Sequence, residues 1–308
     1  MPLRPTIHRH DDAQSSSAAE RCMLLAVYFL FNLGLTIYNK LVMDHFPFPY
    51  IVTGVHALCA SCGSYLFLLT GVFRPVELYR KEQLVLLLFS FLYTINIAVS
   101  NISLNNVTVP LHQVVRAITP LFTILIFVLA FRKSYSFMTY VSVIPLVAGV
   151  GLATYGDYYV TTFGFLLTLL GTFLAAVKTV MTNRLLTGRL KLDPLDLLFR
   201  MSPLAFMQTL IYASLTGELS RFSDYARTGM TRTMFASLLG NGIIAFGLNV
   251  VSFTANQKCG ALTLTVAANI KQVLTVALSF MIFDLKATFT NVIGIILALA
   301  GGAIYAYE

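Results

Sequence analysis

The chain has 308 residues, 57% of them apolar and 11% charged, with a net charge of +8 and a mean hydropathy of +0.78. Soluble domains carry about a quarter charged residues, and a single aqueous core cannot hide this much apolar surface. Lipid is therefore the solvent for most of the chain, and the basic excess is read as a topology signal with no nucleic-acid partner.

Residues 1–20 are polar, with Arg4, Arg9, Asp11, Asp12 and a Ser15–Ser16–Ser17 run, and read as a short disordered cytosolic tail. The first apolar run is long and lacks a small-residue cleavage site, so it is expected to insert and stay. Ten apolar runs follow, at roughly 22–43, 48–70, 82–103, 108–131, 135–155, 160–186, 195–216, 232–255, 259–283 and 287–306, each long enough to cross about 30 Å of hydrocarbon. Lipid offers the backbone no partners, so each run is expected to be a helix. Turn signals separate them: Phe46-Pro47-Phe48-Pro49, Arg132-Lys133, Gly156-Asp157 and Asp284-Leu285-Lys286. The longest loop, about 217–231, carries Glu218, Arg221, Asp224 and Arg227 of mixed sign. Cys22, Cys59, Cys62 and Cys259 lie in or beside apolar runs, without a second Cys pair or a His cluster, so no metal or disulfide framework is expected.

With the N-terminus in the cytosol, one side holds Arg4, Arg9, Arg21, Arg74, Arg80, Lys81, Arg132, Lys133, Arg184, Arg189, Lys191 and Lys258; the other holds Lys40, Arg221, Arg227, Arg232 and Lys286. Both termini are then cytosolic. A shift of 152 residues maps Val99–Tyr155 onto Val251–Tyr307 without a gap, matching Ser100 with Ser252, Val114 with Val266, Ile118 with Ile270, Gly149 with Gly301 and Tyr155 with Tyr307. Tyr38-Asn39-Lys40-Leu41 likewise answers Thr182-Asn183-Arg184-Leu185. The expected fold is an all-α membrane protein of ten helices in one membrane domain. Its halves are two five-helix repeats, 21–156 and 157–308. Five is odd, so the repeats are inverted, an arrangement that puts a transport site near mid-membrane at their interface.

Four cations fall within the apolar runs: Arg116, Lys178, Arg200 and Lys271. Arg200 sits near a span end and is read as snorkelling; Lys178, two turns from an end, either snorkels or lines a vestibule. Arg116 and Lys271 lie about one turn from repeat-equivalent points, because the shift puts Thr119 on Lys271. No Asp or Glu is mid-span, although buried charge needs a partner. A phosphate-bearing ligand supplies one, since arginine offers a fork and lysine a point charge. Tyr38, Asn96, His112, Gln113, Asn249, Asn269 and Gln272 are placed to read the rest of it. The absence of a mid-span acid argues against proton coupling and for strict exchange of substrate against counter-substrate.

The stretches His112-Gln113-Val114-Val115-Arg116-Ala117-Ile118-Thr119-Pro120, Lys258-Cys259-Gly260-Ala261-Leu262-Thr263 and Asn269-Ile270-Lys271-Gln272 give the chain, over residues 20–308, a resemblance to a known group. It resembles the triose-phosphate translocator and nucleotide-sugar transporter group of the drug/metabolite transporter superfamily. The resemblance implies ten helices in two inverted halves and exchange of phosphorylated solutes. It also implies that Arg116, four residues before Pro120, stands where plastid members carry a lysine, and that Lys271-Gln272 stands where they carry a Lys-Arg pair. The missing second cation points away from triose-phosphate exchange. The Lys258–Thr263 stretch resembles the Golgi and endoplasmic reticulum branch, which exchanges a nucleotide sugar for a nucleoside monophosphate.

A sugar-phosphate/phosphate exchanger is the alternative within the class. A membrane receptor or scaffold is the alternative outside it, and it needs neither the repeat nor the mid-span cations. No loop carries a carboxylate cluster or a metal-ligand spacing, so no enzyme, metal or cofactor is expected. Small residues near Gly149, Gly151, Gly294, Gly301 and Gly302 suit close packing against another helix or a second copy of the chain in a homodimer.

Overall fold

The computed structural model describes residues 17–107, 112, 115–153, 161–282 and 288–307, and at some of these, Lys271 and Gln272 among them, only the backbone. The expected tail lies outside the described residues as far as residue 16, and Ala18–Glu20 already belong to the first helix.

The described residues form eleven helices and no strand: α1 Ala18–His45, α2 Pro49–Leu69, α3 Arg80–Asn106, α4 Thr119–Phe131, α5 Phe137–Ala153, α6 Thr162–Thr187, α7 Pro194–Leu215, α8 Glu218–Thr228, α9 Arg232–Cys259, α10 Ala261–Ile282 and α11 Phe289–Tyr307. Local chemistry starts them. Ser17, Thr161, Asp193 and Thr231 each accept a first-turn amide of the helix that follows. Pro49 and Pro194 occupy first-turn positions, where a missing N–H costs nothing. Gly260, at φ +91°, reverses the chain between α9 and α10.

Five helices, α1, α2, α3, α6 and α9, are long and apolar enough to cross a membrane by length and composition alone. Helices α4, α5, α10 and α11 are apolar but shorter over their described parts. Large apolar side chains such as Leu30, Leu66, Leu88, Leu129, Ile144 and Ile296 point outward. In water this surface would aggregate; in lipid it costs nothing. The protein is a multi-pass membrane protein.

The long helices run alternately between two poles. At the first, Lys258 pairs with Glu20, Val76 N donates to Asp196 Oδ2 (3.0 Å), and Asn183 Nδ2 donates to the Asn256 carbonyl (2.7 Å). At the second, Asn291 Nδ2 donates to the Leu152 carbonyl (3.4 Å), and Thr161 Oγ1 to that of Asn106 (3.2 Å). Helix α2 packs on α7 and α9, α3 on α6 and α7, α1 on α9, α4 on α6, and α5 on α11. The α5–α11 contact is closest: a Cβ on Gly149 would stand 2.3 Å from Ala298 N, and one on Gly301 2.6 Å from Leu146 N. These two glycines of the small-residue faces are therefore used within the chain.

One local expectation gains detail and another changes. Arg200 reaches towards its span end and is anchored there: its Nε bonds Asp196 Oδ1 (2.7 Å) and its Nη2 bonds the Val76 carbonyl (2.5 Å), tying α7 to the α2–α3 turn. The stretch expected as the longest loop contains α8, because Phe222 and Tyr225, three residues apart, fall on one helical face. Their rings lie 5.9 and 5.6 Å from that of Phe46. Glu218 then reaches the start of α2 and accepts the Ile51 amide at 2.8 Å.

Burial pushes the Glu218 carboxyl above its ordinary range, against the opposing pull of the Ile51 and Tyr50 amides and of Arg221. A carboxyl raised in the folded state contributes stability that is full below its unfolded pKa and is lost as pH climbs through the folded one. Melting temperature in detergent should therefore fall as pH rises above the ordinary glutamate range, and Glu218→Gln should flatten that fall. An equal slope in the variant would show that the carboxylate is fully solvated.

Candidate functional site

The segment around Arg116 is not one unbroken helix. Val115 and Arg116 are helical, Ala117 and Ile118 form a turn, and α4 begins at Thr119. Pro120 explains the break: its nitrogen carries no hydrogen for the Arg116 carbonyl, and its ring crowds that carbonyl. Thr119 Oγ1 donates to the Arg116 carbonyl instead (2.5 Å). Asn269 of α10 donates its side-chain amide to the Ala117 carbonyl (2.7 Å), with both residues buried. Two side chains thus satisfy carbonyls freed by the break, which lipid could not do.

The Arg116 side chain donates through Nη1 to Ser100 Oγ on α3 (2.8 Å). Its charge reaches His112 and Lys178. His112 is buried and its Nδ1 has no hydrogen-bond partner among the described residues. The Lys178 ammonium on α6 lies 4.7 Å from the centroid of the Tyr93 ring, held there by the negative face of the ring. Among the described residues the ion pairs are Arg200–Asp196 and Lys258–Glu20, so no carboxylate neutralises Arg116 or Lys178. Tyr93 also lines a cavity of about 250 Å³ between α1, α2, α3, α7 and α9, to which Thr53, His56, Ser202, Thr209 and Asn249 give polar groups. His56 is held in turn by Asn241, whose amide donates to Asn39 Oδ1 (2.8 Å).

The expected residues divide. Arg116 lies within electrostatic reach of His112 and of Lys178, and Asn249 lines the cavity beyond Tyr93. Asn269 serves the broken segment directly. Asn96 donates to the Gly171 carbonyl (2.8 Å) and ties α3 to α6; Tyr38 donates to the Ser237 carbonyl (3.0 Å) and ties α1 to α9. Lys271 and Gln272 lie on α10 two and three residues after Asn269, with side chains outside the described residues, and Gln113 lies outside them altogether. Sequence reasoning passed over Ser100 and the hydroxyls of Thr53, Ser202 and Thr209. For Ser100 a signal existed, its identity with Ser252 under the repeat shift.

The arrangement presents a pair of uncompensated cations beside a mostly apolar cavity with a few hydroxyl and amide groups. That is a setting for an anion with an uncharged body attached. Comparison with known proteins agrees in kind. The model of the triose-phosphate transporter family matches residues 19–306. In Arabidopsis thaliana, UDP-galactose transporter 1 is 30% identical over 293 residues, 92% of this chain and 86% of that one. GDP-mannose transporter GONST5 is 30% identical over 90% of this chain and 82% of its own. A probable sugar phosphate/phosphate translocator is 29% identical over 92% and 93%. A crystal structure only 12% identical superposes with a TM-score of 0.69 over 94% of this chain and 96% of that one, which shows a shared fold.

Proposed function

Because this chain belongs to the triose-phosphate transporter family, we propose that it is an antiporter exchanging a nucleotide sugar for a nucleoside monophosphate by alternating access. The chain is a transporter of that family. What carries the exchange reading is Arg116 within electrostatic reach of Lys178, with no carboxylate paired to either among the described residues, beside a cavity able to hold a base and a sugar. Lys271, two residues beyond the Asn269 that grips the broken segment, adds a third cation to the phosphate site. An empty carrier must bring these charges through an occluded, low-dielectric state; a bound phosphate neutralises them in either direction. Exchange therefore outpaces net flow.

Ten membrane crossings in two inverted repeats fit this reading. Asn269 and Ala117, joined by a hydrogen bond, are separated by 152 residues, the repeat shift itself. A contact between a residue and its own repeat mate lies on the axis relating the halves. The Gly149–Ala298 and Gly301–Leu146 approaches are exchanged by the same shift. The pairing of α1 with α9 is likewise exchanged with that of α3 with α6. The relatives named for nucleotide sugars favour a Golgi or endoplasmic reticulum membrane, with both termini cytosolic from the lysine and arginine bias.

The relative named a sugar phosphate/phosphate translocator favours a second reading, sugar-phosphate/phosphate exchange. Proteoliposomes separate the two. Uptake of a labelled nucleotide sugar should rise with the matching nucleoside monophosphate inside and stay near background with buffer inside. Stimulation by internal phosphate alone would favour the second reading. Equal uptake into empty vesicles would overturn exchange altogether.

A further inference from the structure

A second group of cations stands at the first pole and shares no residue with the cavity. Arg184 lies six residues beyond Lys178 on α6, about 9 Å further along the helix. Its guanidinium carbon sits 3.8 Å from the centroid of the Phe131 ring and 5.5 Å from that of Phe127. Lys133, in the α4–α5 turn, places its ammonium 5.4 Å from the same Phe127 ring and 5.0 Å from that of Tyr135. Arg184 and Tyr135 are close enough for the arginine charge to act on the phenol.

Two polar atoms here are buried with no hydrogen-bond partner among the described residues: Arg184 Nε and Tyr135 Oη. Neither cation has a carboxylate within ion-pair distance among the described residues. Four acids of this pole are engaged elsewhere, Glu20 with Lys258, Glu82 with the Tyr79 amide, Asp193 with the Leu195 amide, and Asp196 with Arg200 and Val76. Ring faces hold the cations in place but accept no hydrogen bond of ordinary strength, so these buried donors still lack the acceptor that burial demands.

Burial pushes the Tyr135 phenol up to about 12, with Tyr305 and Tyr140 adding to the rise and Arg184 opposing it, so Tyr135 stays a donor at any physiological pH. Every group the corner offers is then a donor, and two are charged. A ligand for it must be rich in acceptors and negative. A phosphoryl group meets both demands, taking the arginine edge, the ammonium and the phenol on different oxygens. Phe131 and Leu129 face outward beside the corner, so the phosphate level of the surrounding bilayer is within reach. We propose that Arg184, Lys133 and Tyr135 form a peripheral phosphoryl-binding site, separate from the transport cavity, filled either by the headgroup of an anionic phospholipid or by a free phosphate anion.

Thermal unfolding of the detergent-purified full-length protein tests this. One arm adds phosphatidic acid to the micelles, against an equal amount of phosphatidylcholine. The other adds inorganic phosphate, against chloride at equal ionic strength. The expected result is a rise in melting temperature of about 2–4 °C in one arm, with the responding arm naming the source. The rise should vanish in the double variant Arg184→Gln/Lys133→Gln and shrink in Tyr135→Phe. Loss in the double variant separates this site from the central cations, which it leaves intact. Should the double variant fail to fold, Lys133→Gln in the exposed turn and Tyr135→Phe, which removes one oxygen, give the same reading. No rise in either arm, or a rise of the same size in the variants, would overturn the proposal.

Discussion

Replacing Arg116 by glutamine is expected to cut exchange about 100-fold while leaving a folded protein. The side chain has one hydrogen bond inside the protein, to Ser100, and no acidic partner among the described residues. Its loss removes little that holds the fold and most of what greets an anion. A desolvated, charge-assisted contact is worth about 1.5–3 kcal/mol, and the upper end of that range corresponds to about 100-fold in rate. Arg116→Lys keeps the charge and loses the fork, so a smaller loss of about 10-fold follows. Lys271→Ala should behave like Arg116→Gln. The measurement is exchange in proteoliposomes, normalised to monodisperse protein. Unimpaired exchange in both Arg116→Gln and Lys271→Ala would reduce these cations to structural fittings.

The largest effect on stability is expected at Gly149 and Gly301. A methyl added at Gly149 meets main-chain atoms of α11 at 2.3 and 2.7 Å, and one at Gly301 meets main-chain atoms of α5 at 2.6 and 2.8 Å. Backbone cannot rotate away as a side chain can, so the helices must separate along the closest helix contact among the described residues. Overpacking typically costs about 1–3 kcal/mol. Gly149→Val should exceed that range and yield little folded protein, with Gly149→Ala intermediate. Gly34, around whose Cβ position nothing stands within 4 Å, serves as a control that should tolerate alanine. Melting curves in detergent decide this, and an unchanged midpoint for both alanine and valine at Gly149 would show that the two helices are not in contact.

Much of the site was legible because charge in an apolar run is conspicuous. Arg116 announced itself by its surroundings, and Pro120 announced the break beside it. The partners were not legible. Tyr93 and Lys178 are far apart in sequence, and no periodicity says that one will lie over the other. Asn96, Tyr38 and Asn269 look alike as polar residues in spans, yet two bond neighbouring helices and one serves the broken segment. Which carbonyl an amide meets depends on helix packing, not on local pattern. For Arg200 the direction towards the span end was legible, but not the anchors, of which Asp196 lies four residues earlier on the same helical face and Val76 in a distant turn. Helix α8 was hidden by its charges, which mask the two aromatic residues that bind it to Phe46.

The bond from Asn269 to Ala117 has one more consequence. Under the proposed alternating access between inverted repeats, it sits where the halves move least relative to each other and behaves as a fulcrum. It is also one-sided. The donor is an asparagine and its counterpart an alanine, which has no amide to give back. If the halves trade shapes as proposed, this bond is not replaced by its mirror image, and the inward and outward forms differ in energy. On that reading the unloaded carrier is a tilted balance that waits with one face open.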